Sequence, residues 1–150
     1  MRVILQRVSE ATVRVDQHIT GQIGLGLLVL ACFEAQDQRE DLEWMAQKII
    51  NLRIFPDSEG RMNHSLIEAE GELLAVSQFT LYASTRKGNR PAWGKAAKGE
   101  ISRPRFDEFV CLLQQKFGKP IPTGVFGADM KISLINDGPV TLILDSRQPE

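Results

Sequence analysis

Two short segments concentrate the residue types that could handle a small polar ligand. Ser77-Gln78-Phe79-Thr80-Leu81 closes the apolar run Leu73-Leu74-Ala75-Val76, and Asn136-Asp137-Gly138-Pro139-Val140-Thr141 lies between two apolar runs near the C-terminus. Each puts hydroxyl and amide groups where a strand should end, and the second adds a Gly-Pro peptide with a restricted backbone. At an active-site edge, backbone N–H groups around Phe79 would bind a developing oxyanion, with the Thr80 hydroxyl beside the bond being broken. The same residues fit a plainer reading. The first segment is then a strand end whose polar groups satisfy neighbouring backbone. Asp137-Gly138 is a hairpin turn, and Pro139 starts the next strand, where its missing N–H is tolerated.

Other familiar constellations are missing. The chain has no Gly-x-Ser-x-Gly elbow and no phosphate-binding Gly-rich loop with Lys-Ser/Thr. Its two histidines, His18 and His64, fall in separate turn-like segments with no metal-ligand spacing, so no metal and no cofactor are expected. A Ser-His-Asp triad needs a histidine base, and neither one lies near the first motif in sequence. Cys32 and Cys111 each sit inside an apolar run and read as buried free thiols in a reducing compartment. One stretch is electrically lopsided. Arg86, Lys87, Arg90, Lys95, Lys98, Arg103 and Arg105 fall within 20 residues against the single Glu100. Gly88, Gly94 and Gly99 keep this loop supple, and Trp93 offers a stacking face. Contact with a phosphate backbone or single-stranded RNA is one reading; a solvated basic loop is the other.

These residues need a scaffold, and the chain has material for one. Its 150 residues suit a single domain, 1–150, able to bury about 68–70% of its unfolded surface without staples. The net charge of -1 gives no global attraction to nucleic acid or membrane, so any such attraction must be local. No signal-peptide core follows Met1, and Leu25 to Phe33 is too short to span a bilayer. The expected location is cytoplasmic, with no membrane partner.

Val3–Val8 and Ala11–Val15 read as strands, Leu27–Phe33 as a fully buried central strand, and Leu73–Leu81 as another. Asp37 could cap a helix carrying Leu42, Met45, Ala46, Ile49 and Ile50 at helical spacing. Pro56 to Gly60 is turn chemistry. Ser102 is the expected cap, and Pro104 a first-turn residue, of a second helix with Phe106, Phe109, Val110, Leu113 and Phe117 on one face. Gly118 and Pro120 stop it. Met130–Asn136 and Val140–Asp145 read as two last strands. The predicted class is α+β: a largely antiparallel, barrel-like sheet system with two main helices packed on one side.

Taken together, the chain resembles the D-aminoacyl-tRNA deacylase (D-tyrosyl-tRNA deacylase) family over nearly its whole length. The opening Met1 to Val8, Thr20 to Gly24, Arg53-Ile54-Phe55, Gly60 to Asn63, Gly88-Asn89-Arg90-Pro91 and Thr123 to Met130 all carry the likeness. The Ser-Gln-Phe-Thr and Asn-x-Gly-Pro-Val-Thr elements, in this order and separation, are its most specific part. Ala92-Trp93 and Val125 depart from the family pattern, which usually has Ser-Phe and often Arg at those places.

The resemblance implies a homodimeric enzyme that hydrolyses the ester between a D-amino acid and the tRNA 3′ end, and that also acts on glycyl-tRNA. It assigns Gln78, Phe79 and Thr80 to catalysis and Ser77, Met130, Gly138 and Pro139 to substrate binding. In the family the Gly-Pro peptide is cis and reaches into the partner's active site, where main-chain carbonyls hold the α-amino group and leave no room for an L side chain. Arg86, Lys87, Arg90, Lys95 and Lys98 are the expected RNA contacts. Thr80 has no base beside it in the motif, and an unactivated hydroxyl is a weak nucleophile. Assistance by the terminal ribose 2′-OH, with protein N–H groups as the oxyanion site, is therefore expected. Two alternatives stand beside this: a non-catalytic module of the same fold that binds an aminoacyl group or tRNA end, and a small esterase using Thr80 or Ser77.

Overall fold

Strand β1 (Arg2–Val15) changes the face it buries half-way along, and the architecture follows from that change. In the computed structural model, which describes residues 1–149, Met1, Val3 and Leu5 point into one core. The pairing slips between Val8 and Glu10. Beyond it Ala11 and Val13, in the same odd phase, point into a second core on the opposite face. A one-residue slip moves every following side chain to the other side of a sheet.

The first half of β1 pairs antiparallel with β3 (Gly26–Cys32) and the second half with β2 (His18–Ile23). A two-stranded hairpin, β4 (Phe55–Pro56) and β5 (Met62–His64), stands apart from the main sheet. β6 (Glu72–Ser77) lies parallel to β3, and β7 (Lys131–Asp145) runs antiparallel along the other edge of β1. The sheet order is β2-β1-β3-β6, with β7 on β1. β3 and β6 are buried on both faces. Leu27, Val29, Leu73 and Ala75 face the first core, while Leu28, Leu74 and Val76 face the second. Their unbroken apolar sequences are what such burial requires.

Helices α1 (Arg39–Asn51) and α2 (Gly99–Phe117) pack together over the first core. α1 buries the expected stripe Leu42, Met45, Ala46, Ile49 and Ile50. α2 ends as expected at Gly118, whose φ of 75° is left-handed. The predicted α+β class with helices on one side holds, with one parallel strand pair in an otherwise antiparallel sheet.

Several boundaries differ from the sequence reading. Val3–Val8 and Ala11–Val15 are one strand, because β7 pairs across the slip and holds the two halves together. The strand from Leu73 stops at Ser77, and Phe79–Tyr82 is a single 3₁₀ turn. Residues 131–145 are one strand and not a hairpin. Both halves pair with β1 in the same sense, so the chain never reverses. Asn136 faces Val8 and Thr141 faces Gln6, which leaves residues 137–140 bulging out opposite Arg7 alone. Gly138 has φ of 123° there, and the Gly138–Pro139 peptide is cis.

Asp37 does not cap α1. Gln38 does, its N–H donating to the Asp41 carboxylate at 2.9 Å, while Asp37 is buried against the Met1 ammonium at 2.7 Å. α2 starts a turn earlier than expected, so Ser102 and Pro104 lie inside it, and the Ser102 hydroxyl donates to the Lys98 carbonyl. Cys32 is buried, but Cys111 is exposed on the outer side of α2.

Candidate active site

The parallel strands β3 and β6 end side by side, and a cleft of about 270 Å³ opens there. One wall is the end of β3, Ala31-Cys32-Phe33, with the start of the Ser77-Gln78-Phe79 segment. The opposite wall is the segment Phe126 to Met130, and Ala97 and Ser102 close one side. Crevices beyond the carboxyl ends of parallel strands are a common place for ligand sites.

The 3₁₀ turn that carries the first motif is held through its main chain. Gln78 N–H donates to Ala31 O at 2.7 Å and fixes the turn to β3. The Cys32 thiol donates to Phe79 O at 3.3 Å, and Arg2 Nη1 donates to Leu81 O at 3.0 Å. Arg2 in turn pairs with Asp145 at 3.0 Å and lies over the Tyr82 ring. The N–H groups of Phe79 and Thr80 begin the turn and have no acceptor among the described residues. Opening N–H groups of a helical turn have no partner within it and are available to a ligand.

The side chains add little basicity. Gln78 Nε2 donates to Thr80 Oγ1, so the threonine oxygen accepts from an amide and has no base to take its proton. The Ser77 hydroxyl has no hydrogen bond within the described chain. Burial pushes the Cys32 thiol up to about 11, and backbone hydrogen bonding at Phe33 and Tyr82 offsets this only in part, so the thiol stays protonated at neutral pH. Met130 forms part of the far wall and packs over Gly124, where any Cβ would collide with its Sδ.

The cleft thus gathers Ser77, Gln78, Phe79 and Met130. Thr80 joins them through Gln78 without lining the cavity, since the 3₁₀ turn replaces the strand alternation that would have put Gln78 and Thr80 on one face. Gly138 and Pro139 do not line the cleft of their own chain. They are exposed on the β7 bulge. Arg86, Lys87, Arg90, Lys95 and Lys98 are all exposed, with no carboxylate partner among the described residues. They lie on a loop drawn together by the paired backbone bonds of Ser84 and Ala92 at 2.8 and 2.9 Å. Arg103 and Arg105 belong to α2 instead: Arg103 lies over the Phe126 ring, and Arg105 pairs with Glu108.

Sequence reasoning missed Arg7. Its side chain is buried, donates Nη1 to Ile54 O at 2.6 Å and Nε to Asp137 O at 3.2 Å, and pairs with the Asp137 carboxylate at 3.0 Å. It thereby holds the base of the Gly138–Pro139 bulge. The signal was present: Arg7 occupies the inward phase set by Val3 and Leu5, where a charge demands partners.

Comparison with known proteins bears on the family and the fold. The family model described as D-Tyr-tRNA(Tyr) deacylase matches residues 4–145. A protein of Dechloromonas aromatica named D-aminoacyl-tRNA deacylase is 61% identical over all 150 residues of both chains, and one of Chromobacterium violaceum with the same name is 59% identical over the same span. Among solved structures, the c-Myc DNA unwinding element binding protein superposes with a TM-score of 0.91 at 37% identity, covering 97% of this chain and 98% of that one. A probable eukaryotic D-amino acid tRNA deacylase superposes with a TM-score of 0.81 at 20% identity, covering 95% and 97%, a likeness of fold alone. With a matching model across nearly all its length and full-length relatives well above half identical, this chain belongs to the D-Tyr-tRNA(Tyr) deacylase family.

Proposed function

We propose that the protein hydrolyses the ester joining a D-amino acid to the 3′ end of tRNA, and glycyl-tRNA likewise, releasing the free amino acid and tRNA. The observation that carries this reading is the pair of unengaged N–H groups at Phe79 and Thr80, set beside a cleft whose polar lining is Ser77, Gln78 and Ser102, with its one carboxylate, Asp129, paired to Lys131 at 2.9 Å. An aminoacyl ester is already activated. Water attacks its carbonyl carbon, the carbonyl oxygen gains negative charge, and the two N–H groups stabilise that charge where it develops. The C–O bond to the ribose breaks and the proton passes to the leaving 3′ oxygen. The neighbouring ribose 2′-OH assists as a positioned hydroxyl in place of a side-chain base.

Chirality is read by a second copy of the chain. Gly138–Pro139 is exposed, away from its own cleft, and gripped at its base by Arg7. Presented to a partner's cleft, its main-chain carbonyls hold the substrate α-ammonium and leave no space for an L side chain, while glycine passes because it has none. Specificity then comes from a steric clash against the wrong hand. A dimer is supported by β7, which among the described residues pairs with β1 alone and leaves its other edge free, with Ile135 and Ile143 exposed by 55% and 70%. The cations Arg86, Lys87, Arg90, Lys95 and Lys98, which have no carboxylate partner among the described residues, receive tRNA phosphates. The site of action is the cytoplasm, where aminoacyl-tRNA is consumed.

Deacylation of matched D-tyrosyl-, L-tyrosyl- and glycyl-tRNA by the pure protein tests the proposal. Rapid release from the D and glycyl forms with the L form intact is expected. Equal release from D and L forms would defeat the steric argument, and tight binding without release would point to a binding module.

A further inference from the structure

The rim of the cleft carries an aromatic pair that the proposed chemistry does not use. The Phe79 and Trp93 rings meet edge to face, with centroids 5.3 Å apart and planes at 75°. Phe79 keeps 57% and Trp93 38% of its surface exposed. Single exposed apolar residues are ordinary, but two aromatic rings in contact beside a cleft form a patch, which is the arrangement that marks a binding surface. Their setting selects the occupant. Phe79 belongs to the cleft wall, so the pair continues the site outward. Trp93 follows the Ser84–Ala92 closure of the basic loop, so Arg86, Lys87, Arg90 and Lys95, all exposed, flank it in one short segment of the chain. From Ser84 to Gly99 there is no acidic residue. An apolar π-face set among free cations and opening from a ligand cleft matches one chemistry best: an unpaired nucleobase on its phosphate backbone.

We propose that Trp93, braced by Phe79, is the stacking platform for the base one nucleotide before the terminal nucleoside of the RNA. This rests on the reading that the cleft takes the terminal nucleoside and its aminoacyl group. The terminal nucleoside then fills the cleft beside Ser77 and Gln78. The preceding nucleotide leaves the cavity past Phe79, its base lies on the Trp93 indole, and its phosphates meet the loop cations. Stacking is blind to base identity because every base has a π-face, so the platform contributes affinity and register and leaves the amino acid unread.

Binding of a labelled RNA hairpin with a single-stranded CCA 3′ end, followed by fluorescence anisotropy, tests this without requiring turnover. Wild-type protein and Trp93→Ala are each titrated with the intact hairpin and with one lacking the penultimate base. The wild type is expected to lose about five- to tenfold in affinity when that base is absent, the lower range for a single base–aromatic stack. Trp93→Ala should show the same loss on intact RNA and no further loss on the abasic RNA, and Trp93→Phe should recover most of it. Two results would overturn the assignment: an abasic penalty as large in Trp93→Ala as in the wild type, or a change of oligomeric mass in Trp93→Ala, which would make the pair a contact between copies. Failed deacylation with this base-dependent binding intact would count against the enzymatic reading alone.

Discussion

Removing the Arg7 guanidinium should separate what holds the Gly138–Pro139 bulge from what merely sits beside it. Arg7→Met keeps the aliphatic stem and deletes three contacts. Two go to backbone carbonyls, Ile54 O at 2.6 Å and Asp137 O at 3.2 Å, and one to the Asp137 carboxylate at 3.0 Å. Hydrogen bonds from a charged donor contribute about 1.5–3 kcal/mol each, and a buried carbonyl left without a donor carries its full desolvation cost. The second contact shares its donor with the carboxylate and belongs at the weak end. The ion pair itself adds little, because Asp137 is 43% exposed and rehydrates once its partner is gone. The expected loss is about 3 kcal/mol for Arg7→Met and below about 1 kcal/mol for Asp137→Asn. Urea unfolding at one fixed protein concentration reads this as a midpoint lowered by about 1–2 M in the first variant and little in the second. If the bulge reads chirality as proposed, Arg7→Met should also discriminate less well between D- and L-tyrosyl-tRNA, since a loosened bulge would block the L side chain less. Equal midpoints for the two variants would refute the reasoning, because the carboxylate and not the carbonyl grip would then hold the bulge.

The remaining expectations concern the cleft. At neutral pH a thiol alkylating reagent should modify exposed Cys111 and spare Cys32, as peptide mass spectrometry will show. Burial raises the Cys32 thiol from 9.0 to about 11, so the folded chain keeps a proton that the unfolded chain has released. The stability this supplies is complete below about pH 9 and is lost as pH rises toward 11. Denaturation midpoints across that window should fall less steeply for Cys32→Ala. Gly124→Ala brings a Cβ against Met130 Sδ, near the free end of a flexible side chain that can swing aside, and should cost no more than about 1 kcal/mol by thermal unfolding, with deacylation reduced as the far wall shifts.

The elements that sequence made legible are those whose periodicity is uninterrupted. The stripe of α1 and the doubly buried β3 each face a single environment from end to end, so spacing alone locates them. β1 and β7 were harder because each crosses a slip in register. A strand that bulges presents the same Asn-Asp-Gly-Pro signature as a strand that turns back, and only the partner strand decides between them. Gln78 to Leu81 reads as strand because it continues the run from Leu73 and Phe79 and Thr80 have good strand propensity, whereas the terminating contacts come from Ala31, Cys32 and Arg2, all distant in sequence. The cleft was half legible. Ser77, Gln78 and Phe79 announce themselves as polar and aromatic residues after an apolar run. Arg7 shows only as a charge in the inward phase of its strand, because its partners Ile54 and Asp137 are 47 and 130 residues away in the chain and no local spacing links them.

The central claim is that main-chain N–H groups and the substrate's own hydroxyl carry the chemistry without a side-chain base. It is tested most directly by single-turnover deacylation of D-tyrosyl-tRNA ending in ribose or in 2′-deoxyribose, by the wild type and by Thr80→Ala. Loss of the 2′-OH should slow the wild type by about 10²–10⁴-fold, the range for a group that assists proton transfer, while Thr80→Ala on the ribose substrate stays within about tenfold of the wild type. Full turnover of the deoxy substrate together with an inactive Thr80→Ala would contradict the account and make the threonine hydroxyl the nucleophile.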